Sequence, residues 1–251
     1  MFQIIEINEN NISDYPQVIC FINPKNEFYN IKIEWLKLRF QEGMKIKLLQ
    51  LSEGKKIAGF IEYVPGEFAW RGVNAKDYMF IHCLWVNPNK NKEKGFGSIL
   101  VNEAVKDAQK QNLKGVAVIT SDDSFMAKRD LFVKNEFELL EERDKFQLLA
   151  ISFKKERPKI SFNINKESLQ KYKGWHIIYS KQCPWVARFV EEVKPILEKE
   201  KISVSFKELK TSKEAQSAPA IYSVFNLIKD GKILADRYIS TTRFINIMKK
   251  V

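Results

Sequence analysis

Gly95 and Gly97, one residue apart and followed by Ser98-Ile99-Leu100, are the residues whose spacing most directly implies chemistry. Glycines let a main chain approach a ligand closely. A helix starting just beyond them presents N–H groups with partial positive charge, and together these features suit a pyrophosphate. Lys90, Lys92 and Lys94 add charge to the same loop. A plain strand-to-helix turn has the same spacing, so the setting has to decide between them. Leu100 rather than glycine stands three residues after Gly97, which removes the six-position dinucleotide fingerprint, and no Gly-Lys-Ser/Thr end makes a P-loop.

Other reactive side chains lie on either side of that loop. His82 stands in the apolar run Tyr78 to Val86, and an imidazole, titrating near pH 6.5, suits a proton acceptor, although a histidine packed in a core fits the same pattern. Cys83 follows it. Strand alternation is expected to send the two side chains to opposite faces, which excludes a His–Cys dyad. Glu62 is a second candidate base. Glu67 and Asp77 are candidates to orient an amine and Arg71 to hold an acidic group, with Trp70 beside them; a solvated loop with one packed tryptophan is the alternative. Farther on, Cys183-Pro184-Trp185-Val186 follows a strand and opens a helix, whose dipole is expected to favour thiolate. Val186 replaces the second cysteine of Cys-x-x-Cys and excludes an internal dithiol cycle. A monothiol reaction, binding of a thiol partner, and a structural module remain open.

The elements that must position these residues show in the periodicities. Phe2 to Asn8 reads as a strand, Asn30 to Glu42 as a helix, and Lys45 to Leu51 with Lys56 to Tyr63 as a hairpin about Gly54. Tyr78 to Val86 has the continuous apolar character of a strand buried on both faces. Leu100, Val101, Ala104, Val105 and Ala108 line one side of a helix over Ser98 to Gln109, and Val116 to Thr120 follows as a buried strand. A short helix is expected over Met126 to Leu131, then strands at Phe137 to Leu140 and Phe146 to Phe153. The second segment reads strand (Trp175 to Tyr179), helix, strand (Ser203 to Leu209), two strands around Asp230-Gly231, and a helix from Thr241 to Lys250. This places domains at 1–155 and 174–251 with a charged linker over 156–173.

Lys92, Gly95 and Gly97 resemble the acetyl-CoA loop of the GNAT superfamily of N-acetyltransferases, whose pattern is Arg or Gln, two residues, Gly, one residue, then Gly or Ala. The resemblance runs from about Met1 to Phe153 and includes Ala127 to Phe137. It implies an α/β (α+β) fold, a mixed sheet flanked by helices, using acetyl-CoA. Lys92, Glu93, Lys94, Gly95, Phe96, Gly97 and Ser98 would hold the pyrophosphate. Leu84, Trp85 and Val86, on a strand splayed from its neighbour, would hold the pantetheine arm. It also implies direct attack by an amine acceptor on the thioester. The family's proton-donating tyrosine is matched here by Phe132, and Phe125 lies near the place of an asparagine, so that proton source is missing. The second segment resembles a thioredoxin-like fold, with Pro219 where that family has a cis-proline. The two together, with Tyr78 to Val86 and Asp236 to Phe244, resemble the YoaP-like acetyltransferases, which leaves the acceptor open.

Composition bounds the alternatives. The 251 residues carry a formal charge of +11, but lysines are scattered through every segment, which points to a solvated surface rather than to nucleic acid. No apolar run reaches the roughly 18 residues of a membrane span, and Met1 to Asn11 lacks the features of a signal peptide. Three cysteines, Cys20, Cys83 and Cys183, are too few for a disulfide scaffold and fit a reducing, cytoplasmic setting. The expected partner is a small-molecule or peptide amine, with no metal, no membrane and no nucleic acid. A non-catalytic acyl-CoA-binding or thiol-sensing protein, centred on Cys183, is the rival reading.

Overall fold

The computed structural model describes residues 1–16, 23–87, 94–123, 126–164 and 166–250. The chain divides into two compact units, the first comprising Met1–Val18, Lys37–Ala69 and Asn74–Phe162, the second Ile19–Leu36, Trp70–Val73 and Asn163–Val251.

Seven strands form the sheet of the first unit: β1 (Phe2–Ile7), β2 (Lys45–Leu51), β3 (Ile57–Pro65), β4 (Met79–Val86), β5 (Gly115–Ser121), β6 (Glu138–Arg143) and β7 (Phe146–Ser152). They lie in the order β1-β2-β3-β4-β5-β7-β6. Only β4 and β5 run parallel; the other neighbours are antiparallel. A parallel pair requires a crossover, and helix α2 (Phe96–Lys110) supplies it. Helix α1 (Glu27–Gln41) precedes β2. The short α3 (Arg129–Val133) begins three residues later than the periodicity predicts.

The apolar stripe of α2 covers one face of the sheet. Leu100, Val101, Ala104 and Ala108 are buried against Ala58, Ile61, Tyr63, Met79 and Ile81, with Phe132 and Phe137 completing the cluster. Truncating one such large residue, for example Leu100→Ala, costs about 2–5 kcal/mol through lost transfer energy and the cavity left behind.

In the second unit β8 (Trp175–Tyr179) pairs parallel with β9 (Val204–Glu208) and antiparallel with β10 (Phe225–Lys229), which pairs antiparallel with β11 (Lys232–Ala235). Helices α4 (Pro184–Lys199) and α6 (Thr241–Met248) bury Val186, Phe189, Val193 and Phe244 in its core. The polar stretch after β9 contains α5 (Ser212–Gln216), closed by a reciprocal cap between Thr211 and Glu214. Pro219 lies in the loop before β10, and no cis peptide occurs among the described residues, so the cis-proline implied by the thioredoxin resemblance is not found. No helix among them is long and apolar enough to cross a membrane.

Candidate functional site

The pairing of β4 with β5 is short. Cα partners run from Met79↔Val116 to Ile81↔Val118, although β4 continues to Val86 and β5 to Ser121. Among the described residues the two strands are not in register from His82 onward, so Leu84, Trp85 and Val86 continue β4 beyond its ladder with β5. Strand edges present rows of N–H and C=O groups to any extended polar chain.

The cause is visible on the other side of β4. Glu62 pairs with Cys83 but the next residue, Tyr63, pairs with Ile81, so His82 is an extra residue, a β-bulge. A bulge breaks the alternation of side chains along its strand. His82 and Cys83 therefore do not point to opposite faces as simple alternation predicts. His82 shares the face of Phe80, whose ring it meets edge-on at 5.7 Å, and Cys83 stands opposite Glu62 on that same face.

His82 Nδ1 lies 3.5 Å from Glu62 Oε1. The two candidate bases, named separately from the sequence, are thus neighbours. Both are buried; the His82 side chain has no accessible surface, whereas that of Glu62 retains 6%. Cys83 is exposed. Beyond them on the same face, the rings of Phe60 and Trp85 face each other at 6.3 Å.

The glycine loop ends as its sequence requires. Gly95 is the residue before α2 and has φ +70°, a conformation that L side chains rarely adopt, with open space where a Cβ would stand. The first helical hydrogen bond runs from Ile99 N–H to the Gly95 carbonyl, and among the described residues no side chain caps this end. The amides of Phe96, Gly97 and Ser98 precede that bond and are the orphan donors of a helix start. Gly97 abuts Leu131, whose Cδ1 would be 3.0 Å from an added Cβ. Ser98 Oγ accepts a hydrogen bond from Asn135 Nδ2 at 2.9 Å, which ties the helix start to the end of α3 and was not anticipated from the sequence. Lys94 is exposed here, while Lys92, Glu93 and Phe125 lie outside the described residues.

The remaining candidates are elsewhere. Phe132 is fully buried, in edge contact with Phe137 at 5.5 Å, and serves as a core aromatic. Glu67 lies in a 3₁₀ turn just after β3. Asp77 stands just before the start of β4, ion-paired with Lys114 at 2.7 Å, and so takes no part in the cluster around Glu62. Trp70 and Arg71 belong to the second unit and are almost wholly buried; a packed tryptophan is one of the two readings of the sequence, whereas neither reading has Arg71 buried. There Arg71 Nη1 donates to Gln182 Oε1 at 2.7 Å and its guanidinium lies over Tyr222 at 4.4 Å.

Cys183, the residue before α4, also departs from expectation. Burial pushes its thiol up, and this outweighs the backbone amides of Val186 and Trp185 and the charges of Lys32 and Arg71, which pull it down. The helix dipole alone predicted a thiolate; desolvation wins because charging sulfur there means removing water from it.

The acetyltransferase (GNAT) family model matches residues 11–137, about half of the chain. The chain belongs to the GNAT acetyltransferase family. This acetyltransferase, an acyltransferase by that membership, is 29% identical over 251 residues to an uncharacterized N-acetyltransferase, YoaP, of Bacillus subtilis, covering 97% of each chain. Among solved structures it is similar to a GNAT acetyltransferase of Staphylococcus aureus Mu50, with TM-score 0.46, 16% identity, and coverage of 61% of this chain and 100% of that one. It is also similar to Arabidopsis thaliana NAA60 in complex with acetyl-CoA, with TM-score 0.45, 14% identity, and coverage of 61% and 99%.

Proposed function

We propose that the first unit transfers an acetyl group from acetyl-CoA directly to an amine, and that Glu62, backed by His82, receives the proton the amine gives up. The observation that carries this reading is the bulge at His82, which opens the β4 edge and brings the Glu62–His82 pair together at the point where the strands part. The residues fit the cofactor: the end of β4 at Leu84, Trp85 and Val86, beyond its register with β5, suits the amides of pantetheine, and the amides of Phe96, Gly97 and Ser98 suit a pyrophosphate. When bound, acetyl-CoA supplies the activated acyl thioester.

Glu62 acts as the acceptor because it alone of the pair keeps surface toward solvent; His82, behind it, is a positioning residue that fixes the carboxylate. The aromatic pair Phe60 and Trp85 narrows the same face and limits the acceptor's approach. With phenylalanine at 132, the departing sulfur receives no proton from that position.

For the second unit we read a thioredoxin-like module, supported by the strand order β9-β8-β10-β11 with α4 following β8 and Cys183 at the helix start. Its raised thiol favours a structural or partner-binding part over redox turnover. The scarcity of cysteine supports a cytoplasmic setting. Release of CoA from acetyl-CoA, followed with a thiol reagent across a panel of small and peptidyl amines, tests the activity. Glu62→Gln should lower kcat by about 10²–10³ with the acceptor so found. No release above hydrolysis with any amine would instead favour a non-catalytic acyl-CoA-binding protein.

A further inference from the structure

A second cleft in the first unit, of about 270 Å³, lies where β4 and β5 begin. It is separated from the splayed end by the eight residues of β4, a span of roughly 25 Å. Five cations line it, Lys76, Lys114, Lys154, Arg157 and Lys159, against two carboxylates, Asp77 and Glu156.

The carboxylates do not neutralise it. Asp77 is committed to Lys114 at 2.7 Å, an attachment doubled by the Lys114 N–H on the Asp77 carbonyl at 2.8 Å. Asp77 is held at φ +67° by these contacts, a conformation a non-glycine residue adopts only when its surroundings impose it. Lys76, Lys154, Arg157 and Lys159 make no ion pair within 4 Å among the described residues, and of the two acids only Glu156 is left to face them. The cleft thus keeps an excess of three positive charges. A concave wall of low dielectric focuses such a field on whatever enters.

The wall is built rather than incidental. Tyr78 is almost buried, and a Cβ at Gly115 would stand 2.7 Å from its Cε1 and 2.0 Å from the Ile151 carbonyl oxygen, so only glycine admits the ring there. The Tyr78 hydroxyl reaches Ser152 Oγ at 3.4 Å, and Ser152 is fixed in turn by the backbone of Lys154. Two hydroxyls, bonded to each other and to the Lys154 backbone, thus line the wall beside the cations. Arg157 can take two phosphate oxygens at once, and the lysines add point charges.

We propose that this cleft binds a small phosphorylated metabolite, a phosphomonoester, at a site separate from that of the acyl donor. Its size admits a phosphate with a group about as large as a sugar. An extended polyanion such as single-stranded nucleic acid would call instead for a long groove with exposed aromatic faces, whereas the aromatic side chain here is nearly buried.

Calorimetry of the full chain with glucose 6-phosphate as probe tests this, run with and without saturating acetyl-CoA so that heat from the glycine loop is separated. Glucose serves as the uncharged control. Binding of glucose 6-phosphate but not glucose, in both conditions, is expected. It should weaken at least tenfold in Lys154→Gln/Arg157→Gln while remaining unchanged in Lys106→Gln, an exposed lysine on α2 outside the cleft. Circular dichroism of the double variant should match the wild type, since both side chains lie at the surface; if it does not, Lys76→Gln alone is used and should weaken binding at least threefold. Absence of binding in the wild type, equal affinity in the cleft variants, or an oligonucleotide bound tenfold more tightly than the phosphomonoester would overturn the proposal. A failure of acetyl-CoA to bind leaves these readouts intact, because the cleft variants do not touch Gly95 or Gly97.

Discussion

Replacing Tyr63 by phenylalanine probes the network that anchors α2, and with it the helix start that the cofactor reading depends on. The Tyr63 hydroxyl donates to Asp107 Oδ2 at 2.6 Å, and Lys45 Nζ and Lys47 Nζ reach the same oxygen at 3.0 and 3.4 Å. Asp107 lies near the C-terminus of α2, where the helix dipole disfavours a carboxylate. Burial pushes its carboxyl up, but the hydrogen bonds from Tyr63 and Lys45 and the charges of Lys47 and Lys45 outweigh this and hold it below the ordinary aspartate range. Burial, then the bond to Asp107, push the Tyr63 phenol up, so it remains a donor at every accessible pH.

A hydrogen bond to a charged group contributes about 1.5–3 kcal/mol, and because both lysines remain in the variant, a loss of about 2 kcal/mol is expected at pH 7. A carboxyl whose folded value is depressed contributes stability that is present above its unfolded value, near 4, and is lost as pH falls through the folded value. The gap between wild type and Tyr63→Phe should therefore be widest at neutral pH and narrow as the pH falls below the unfolded value and through the folded one. Urea unfolding at pH 7 and at a series of lower pH values, followed by tryptophan fluorescence, measures it. A difference under about 0.5 kcal/mol at pH 7, or one independent of pH, would refute the reasoning.

Two further outcomes follow from other parts of the molecule. His82→Asn should lower kcat while leaving KM for acetyl-CoA unchanged, since the carboxylate loses the ring that positions it; an unchanged kcat would make His82 merely a core residue. At pH 7.5 iodoacetamide should label the exposed Cys83 faster than Cys183, whose thiol burial pushes up, as read by peptide mass spectrometry. Faster labelling of Cys183 would restore the redox reading of the second unit.

Much of the framework was legible because its signals are local. The continuous apolar run before Val86, the paired glycines, and the stripe of Leu100, Ala104 and Ala108 each depend on neighbours within one element, and β4, Gly95 and α2 appear where those patterns place them. The bulge at His82 was not legible, because it is a mismatch of register between two strands and neither strand shows it alone. The same mismatch turned the Glu62 and His82 candidates into a pair and cancelled the argument from alternation for Cys83. The burial of Arg71, open in the sequence to acceptor binding or a solvated loop, was not legible for a related reason: its partners Gln182 and Tyr222 lie far along the chain. Cys183 shows how a sequence argument fails on magnitude, since the helix start was rightly located but desolvation exceeds its pull. The cleft around Arg157 escaped notice because its lysines come from three separate segments of a lysine-rich chain.

Calorimetric titration of acetyl-CoA into the wild type and into Gly95→Asp/Gly97→Asp bears most directly on the account. The two carboxylates would stand at the helix start, one in a left-handed backbone conformation and the other against Leu131, and would repel phosphate. One-to-one binding by the wild type, weakened by about a hundredfold or more in the double variant while the fold persists, is the predicted result. Equal affinity in the two proteins, or no binding by the folded wild type, would contradict it.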